Sequence, residues 1–258
     1  VINNASIIAE WSADMYEKFE TETEDVNYLL SVLSSKQKHI LEIACGSGRF
    51  LIPLAKAGYT VVGLDFDANM LSKIQNKAEG LNNIKWYKTD VIAEKWGSDF
   101  DVVVLAGNVL LNIVTEMDYT EAQEMLIFKA SDVLASGGMI YIDYGYTLHP
   151  ENLFNNPNEQ IIWEGTDSHG IKGRMLLLKS TFNKVNGICK YTRRFELTLP
   201  DGSHIRKDIP SLKHFAKIDQ IHSWLSSAGF IVYEEYGDYN YHPISESTNR
   251  AIICAKKR

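Results

Sequence analysis

The sequence predicts an α/β fold, a doubly wound, mostly parallel seven-stranded sheet. Three observations predict it. Short apolar runs alternate with helix-period segments as far as Tyr144. The runs are apolar on both faces, as in strands covered by helices on each side. The first run ends in a glycine-containing bend that leads into a helix, where open α/β sheets bind their ligands.

The elements follow in order. Residues 5–34 carry apolar positions at helical spacing, among them Ile7, Ile8, Trp11, Met15, Tyr16 and Phe19, then Val26, Leu29, Leu30 and Leu33. Strand runs are His39–Cys45, Thr60–Asp65, Ile84–Asp90, Phe100–Gly107 and Gly138–Tyr144, with helices at Arg49–Ala57, Ala68–Glu79 and Tyr119–Leu134. Right-handed crossovers wind these into one sheet. From Ile161 to Ile209 apolar and polar residues alternate, and Asn186-Gly187 and Asp201-Gly202 are tight-hairpin sequences, so this stretch predicts an antiparallel insert. A helix at Ile218–Ala228 stops at Gly229, and Phe230–Tyr236 and Ala251–Ala255 close the sheet as a hairpin. The expected organisation is a single domain: a helical lid (1–36), a ligand-binding core (37–145), the insert (146–216), and a final helix with two strands (217–258).

Composition narrows the function. The 258 residues are 45% hydrophobic and 23% charged, an ordinary globular balance that excludes a disordered chain, a collagen and a coiled coil. Lys and Arg number 26 against 33 Asp and Glu, a net charge of −7, which argues against a nucleic-acid partner. No apolar run approaches the ~20 residues that span a bilayer, and Val1-Ile2-Asn3-Asn4 lacks a signal-peptide layout. Cys45, Cys189 and Cys254 form neither a disulfide framework nor a zinc pair, and His39, His149, His169, His204, His222 and His242 show no metal-ligand spacing. The expectation is a cytoplasmic protein without membrane or metal, with a homo-oligomer left open.

The first βα bend reads Glu42-Ile43-Ala44-Cys45-Gly46-Ser47-Gly48. A nicotinamide dinucleotide site wants a third glycine where Leu51 stands, and a phosphate P-loop wants Gly-Lys-Ser/Thr, which is absent. The bend therefore suits a nucleoside without a pyrophosphate. Asp65 ends the second run, where an acid accepts ribose hydroxyls. Asp90 ends the third, where a carboxylate takes an adenine amino proton. With Glu42 in the first strand, three acids suit a cationic nucleoside. The competing reading of Asp65 and Asp90 is helix N-caps.

These motifs resemble the class I S-adenosylmethionine-dependent methyltransferases, whose sheet is Rossmann-like. Glu42–Gly48 is similar to the family's first motif, and Val62–Leu71 to its ribose-binding motif. Phe100-Asp101-Val102-Val103-Val104 with Ala106-Gly107-Asn108 resembles the fourth-strand motif, and Leu134-Ala135-Ser136-Gly137-Gly138 the turn before the fifth strand. The resemblance implies S-adenosyl-L-methionine as cofactor, with S-adenosyl-L-homocysteine as product. It implies cofactor contacts from Trp11, Glu42, Ala44, Cys45, Gly46, Gly48, Asp65, Phe66, Met70, Asp90, Val91 and Ala106.

Trp11, Ala106-Gly107-Asn108, the insert and Gly237-Asp238-Tyr239 also look like the glycine and sarcosine N-methyltransferases. That narrower resemblance implies Trp11 over the cofactor, Asn108 at the substrate, and His214 in the place of an active-site tyrosine. The family's carboxylate-binding arginine falls at about Gly145, so glycine itself is not implied as substrate. Asn108, Tyr16, Tyr144 and His214 are the candidates to take or hold the acceptor's proton. The implied reaction is methyl transfer to a small-molecule acceptor, an amine before a hydroxyl, with lid and insert closing the site. An O-methyltransferase, a cofactor-binding protein without catalysis, and a nicotinamide oxidoreductase are the alternatives.

Overall fold

The computed structural model describes residues 3–258. In chain order it begins with α1 (Asn4–Phe19), α2 (Glu24–Val32), β1 (His39–Ile43), α3 (Leu51–Lys56), β2 (Thr60–Asp65), α4 (Ala68–Ser72), α5 (Ile74–Lys77), β3 (Ile84–Lys88) and β4 (Phe100–Leu105). It continues with α6 (Tyr119–Val133), β5 (Leu134–Tyr144), α7 (Pro150–Phe154), β6 (Gln160–Thr166), β7 (Lys172–Leu177), β8 (Thr181–Asn183), β9 (Ile188–Thr198), β10 (His204–His214), α8 (Ile218–Ser227), β11 (Phe230–Tyr236) and β12 (Ala251–Lys257). The chain divides into two compact units. One holds the stretch up to Glu22 with His149–Phe215, and the other Thr23–Leu148 with Ala216–Arg258.

The larger unit carries the seven-stranded sheet, ordered β11-β12-β5-β4-β1-β2-β3. Strands β3, β2, β1, β4 and β5 are mutually parallel, and β12 runs antiparallel between β5 and β11. The fold class is the one the alternating pattern predicts. Ile40 pairs with Val61 on one side and Val102 on the other, and all three are fully buried, as a central parallel strand requires. Their core also takes Leu51 and Leu54 of α3, Ile74 of α5, and Val26, Tyr28 and Leu29 of α2. Two glycines take the left-handed conformation: Gly137 (φ +74°) in the exposed first part of β5, and Gly229 (φ +84°) just past α8.

The smaller unit is an antiparallel sheet, β10-β9-β7-β6, with β8 paired to β9. Its hairpins turn at the predicted places, with Gly187 and Gly202 at φ +66° and +85°. Helix α1 lays Ile8, Trp11 and Met15 against Met175, Phe195, Leu197 and Ile205 of this sheet. Spacing of three and four residues puts those α1 side chains on one face.

The helix expected over Ala68–Glu79 is two short helices, α4 and α5. The helical pattern over 5–34 is also two helices. The Glu20 amide donates to Tyr16 O at 2.8 Å and closes α1; Asp25 Oδ1 accepts from Val26 N at 2.8 Å at the start of α2. Thr21 and Thr23, β-branched and poor helix formers, occupy the break. The two helices belong to different units, which periodicity cannot report because both are amphipathic. Among the described residues no helix is long and apolar enough to cross a membrane. The three cysteines are buried and free of disulfides.

Candidate active site

Strand β1 delivers its last residues to a bend at the carboxyl edge of the sheet. Ala44, Gly46 and Gly48 stand at φ +56°, +53° and +84°, the left-handed region that glycine adopts freely and alanine only under strain. The Cys45 amide donates to Leu64 O at 3.0 Å, pinning the bend to the end of β2. Cys45 is buried, and burial pushes its thiol far above its ordinary pKa.

Asp65 ends β2 and is buried. Its Oδ2 accepts Gly46 N–H at 2.8 Å, and its Oδ1 accepts Asp67 N–H at 2.8 Å. The N-cap of α4 is Asp67, which accepts from Asn69 N at 2.8 Å. The two acids thus divide the work: Asp67 starts the helix, and Asp65 holds the glycine bend against it. Burial raises the Asp65 pKa, while those two amides pull it back.

Glu42 is 4% exposed, and its Oε2 has no hydrogen-bond partner. Burial lifts its pKa well above the carboxylate range; the Arg49 guanidinium opposes this and the Asp65 charge adds to it. Arg49 is held in turn by Asp25 of α2 through two N···O contacts of 2.7 Å. A buried acid with an unmatched oxygen beside a glycine bend is an electronegative pocket floor that favours a cation.

Asp90 is exposed beyond β3. Its Oδ1 accepts from Ile92 N (2.9 Å) and Ala93 N (3.1 Å), while its own amide donates to Glu94 Oε1 at 2.7 Å. The capping reading describes this turn, with the acid shaping its own loop. Lys129 of α6 clamps the loop from behind, its Nζ donating to the carbonyls of Val91 (2.6 Å), Ile92 (3.0 Å) and Glu94 (2.6 Å). Trp96 Nε1 donates to Val91 O at 2.9 Å, and the Lys129 ammonium lies 5.0 Å from the Trp96 ring centroid. Burial lowers the Lys129 pKa, and Asp90 and Glu94 counteract it. Lys129→Met is expected to lower stability by about 1.5–3 kcal/mol, the range for charge-assisted hydrogen bonds, and to speed amide exchange at residues 91–94. An unchanged melting temperature and exchange pattern would show that the loop does not need the clamp.

Phe66 is 62% exposed directly after Asp65, and Val91 and Met70 are half-buried. Ala106, buried, follows β4. Asn108 takes φ +63°, a region asparagine tolerates, and its Oδ1 accepts Gly145 N–H at 2.5 Å. A Cβ on Gly145 would lie 2.9 Å from that oxygen, so the glycine permits the approach. This contact stitches the ends of β4 and β5 and leaves Nδ2 as the donor end of the amide.

The larger unit therefore contains Glu42, Ala44, Cys45, Gly46, Gly48, Asp65, Phe66, Met70, Asp90, Val91, Ala106, Asn108 and Tyr144. Tyr144 is fully buried; its Oη accepts Ala216 N–H at 2.8 Å, and burial pushes its pKa up. Trp11, Tyr16 and His214 belong to the smaller unit. Trp11 is fully buried, edge-on to Phe195 at 6.4 Å; Tyr16 is edge-on to Trp163 at 6.5 Å; His214 is buried at the end of β10. Sequence reasoning missed Lys129, Arg49 and a network around Asp143. Asp143 is buried at 1% exposure, ion-paired with Arg250, and accepts Tyr239 Oη–H at 2.7 Å. A carboxylate inside the apolar run Gly138–Tyr144 was the available signal.

Comparison with known proteins fits this geometry. A family model described as a methyltransferase domain matches residues 40–138, which span β1 through the turn into the buried half of β5. A protein of Geobacillus sp. (strain WCH70) that carries the name "putative methyltransferase" is 26% identical over 225 residues, 85% of each chain. Residues 40–138 are thus a methyltransferase domain. The methyltransferase also matches the 23S rRNA (uracil(1939)-C(5))-methyltransferase RlmD of Aeromonas salmonicida (strain A449), 27% identical over 129 residues, 43% of this chain and 29% of that protein. Its fold is that of an S-adenosylmethionine-dependent methyltransferase from Clostridium acetobutylicum ATCC 824 (TM-score 0.74, 15% identity, 99% of both chains). It is also that of the sugar N-methyltransferase KedS8 from Streptoalloteichus sp ATCC 53650 (TM-score 0.69, 15% identity, 93% of this chain and 88% of that one).

The residues of this site fit S-adenosyl-L-methionine. The sulfonium nucleoside carries positive charge and a ribose diol but no phosphate. The bend has no P-loop lysine, and its floor is the unmatched carboxylate oxygen of Glu42.

Proposed function

We propose that the methyltransferase holds its cofactor on the β1 bend and the β2, β3 and β4 ends, and methylates an amine of a small molecule. The observation that carries the cofactor half is the row of acids, Glu42, Asp65 and Asp90, at three adjacent strands, the first with an unmatched buried oxygen. In this reading Gly46 and Gly48 admit the nucleoside to the backbone, Asp65 receives the ribose hydroxyls, and the Asp90 loop with Val91 borders the adenine. Exposed Phe66 and half-buried Met70 supply apolar surface for the base. Ala44, Cys45 and Ala106 shape the floor.

When bound, the cofactor supplies a methyl group on a sulfur already activated by its charge. The protein's task is then alignment and exclusion of water, which can supply ~7–11 kcal/mol. Asn108, with its amide fixed by Gly145, is placed to orient the acceptor through Nδ2. Tyr144 supports that wall by packing, its Oη accepting Ala216 N–H. The amine preference draws on the narrower resemblance to glycine and sarcosine N-methyltransferases and on relatives in fold that are named as a sugar N-methyltransferase and an amino pentose methyltransferase. The RlmD likeness, restricted to 43% of this chain, favours RNA as the second reading, against which stands the net charge of −7.

The deciding experiment supplies methyl-labelled cofactor with amino sugars, aromatic amines, hydroxylated metabolites or total RNA, and reads the labelled product by mass spectrometry. Label on amine nitrogen supports the reading; label on oxygen or in RNA replaces it. Asn108→Ala is expected to lower kcat more than cofactor affinity, and the reverse pattern removes Asn108 from the acceptor site.

Glu42 gives a pH signature. Its folded pKa is raised, so the folded state keeps the proton that the unfolded chain releases in the ordinary carboxylate range. Its contribution to stability is therefore full below that range and lost as pH rises through the raised value. A cation bound beside Glu42 favours the carboxylate and expels the proton. S-adenosylmethionine affinity should rise with pH across that window, and Glu42→Gln should flatten the rise. Equal pH profiles for the two proteins by calorimetry would remove Glu42 from the cofactor's surroundings.

A further inference from the structure

The smaller unit carries a second cluster of ligating side chains, none of which the methyl-transfer chemistry uses. The turn from β6 to β7 contains Asp167, Ser168 and His169, and α1 brings Glu10 and Asp14, one helical turn apart, to it. Ser168 donates to Asp14 Oδ2 through both its amide (2.7 Å) and its hydroxyl (2.6 Å). His169 Nε2 lies 3.7 Å from Glu10 Oε1, and its Nδ1 lies 3.4 Å from Ser168 Oγ. One oxygen each of Asp14 and Asp167 and one ring nitrogen of His169 all lie within 4.8 Å of one another.

A cluster of acids on a surface needs no ion. Asp167 is the exception here. It is 8% exposed; its Oδ1 accepts the amides of His169 (2.9 Å) and Ile171 (2.8 Å), while its Oδ2 is buried with no hydrogen-bond partner. Two backbone amides fix the carboxylate's orientation, so the unmatched oxygen is held in place and not dangling. A buried, oriented carboxylate with one unmatched oxygen, clustered with a second carboxylate and an imidazole, calls for positive charge.

We propose that Asp14, Asp167 and His169 bind one zinc ion that clasps α1 to the β6–β7 turn. Two carboxylates and one imidazole make a borderline donor set: the imidazole disfavours calcium and magnesium, and the absence of thiolate among the three disfavours copper(I). Three protein ligands with a water in the fourth position is an ordinary zinc arrangement. Bonds of ~2.0–2.2 Å place tetrahedral ligand atoms roughly 3.4 Å apart, so the cluster closes by a rotation of exposed His169. Glu10, beside the imidazole, is the outer partner that orients the ring. Sequence spacing could not show the site, because Ser168 and Asp14 are 154 residues apart.

The test uses the full chain, stripped with a chelator and dialysed. Zinc is titrated by calorimetry, with manganese and calcium in parallel. One equivalent of zinc, bound more tightly than calcium, with a raised melting temperature, is expected. His169→Ala, at an exposed position that does not endanger folding, and Asp167→Asn, which keeps an acceptor for the turn, should each weaken zinc by more than the roughly 10–100-fold that loss of an outer partner costs. Circular dichroism checks that both variants fold. No zinc bound by the parent chain, affinity unchanged in His169→Ala, or calcium bound more tightly than zinc would each overturn the site.

Discussion

Asp65→Ala should weaken S-adenosylmethionine binding by about 1–3 kcal/mol, roughly fivefold to 150-fold. Two losses combine. Under the proposed reading the ribose hydroxyls lose their acceptor in a closed site. The protein also loses the link between Gly46 and Asp67, since each amide donates to one Asp65 oxygen at 2.8 Å. The glycine bend then loses one of its ties, while the Cys45 N–H to Leu64 O bond remains. Asp65→Asn separates the two, because its single carbonyl oxygen keeps one amide paired while the NH2 opposes the other. Asn should therefore fall between wild type and Ala in both melting temperature and affinity. Calorimetry showing unchanged affinity for the alanine variant would remove Asp65 from the cofactor site. An alanine variant that melts like wild type would remove its bracing of the bend.

Gly63→Ala should be the most destabilising small substitution in the sheet. A Cβ at this position of β2 would stand 2.6 Å from Cys45 Sγ, 2.9 Å from Cys45 Cβ and 2.8 Å from Leu51 Cδ2. Both neighbours are buried, at 3% and 0% exposure, so neither can swing into solvent. Overpacking of this kind costs about 1–3 kcal/mol, near 2–4 °C in melting temperature for each kcal/mol. The strain falls on Cys45 in the bend, so cofactor affinity should drop with stability. Cys45→Ala removes the worst contact, and in the double variant part of the loss should be recovered, a non-additivity expected of touching residues. Strict additivity of the two substitutions would show that the clash relaxes elsewhere.

The first of these effects was half legible in the sequence and the second was not. That Asp65 ends a buried run about twenty residues past a glycine bend is written in residue order. That Gly63 lies under Cys45 is not, because the contact crosses two strands whose register only pairing sets. The same division runs through the rest of the site. Glu42, Gly46, Gly48 and Asn108 announce themselves as polar or small residues at the ends of apolar runs. Lys129 does not: on an amphipathic helix a lysine reads as a solvated residue, and its three carbonyl partners lie beyond β3. Arg49 reads as a helix start, yet its partner Asp25 stands on a helix that the sequence pattern joins to a different one.

What the sequence by itself determined is whatever local pattern encodes. Runs apolar on both faces specify strands buried on both sides; Asn186-Gly187 and Asp201-Gly202 specify tight hairpins; glycines after Ile43 specify a bend that backbone sterics deny to most residues. What only the tertiary structure decided is which distant groups meet: the break that sends α1 and α2 to separate units, the Lys129 clamp, the Asp143–Arg250–Tyr239 network, and the Asp14–Asp167–His169 cluster. Periodicity records how deeply a residue is buried, and burial is a property of one position. A hydrogen bond or a shared ligand is a property of two or more positions, and chain path, not spacing, brings them together.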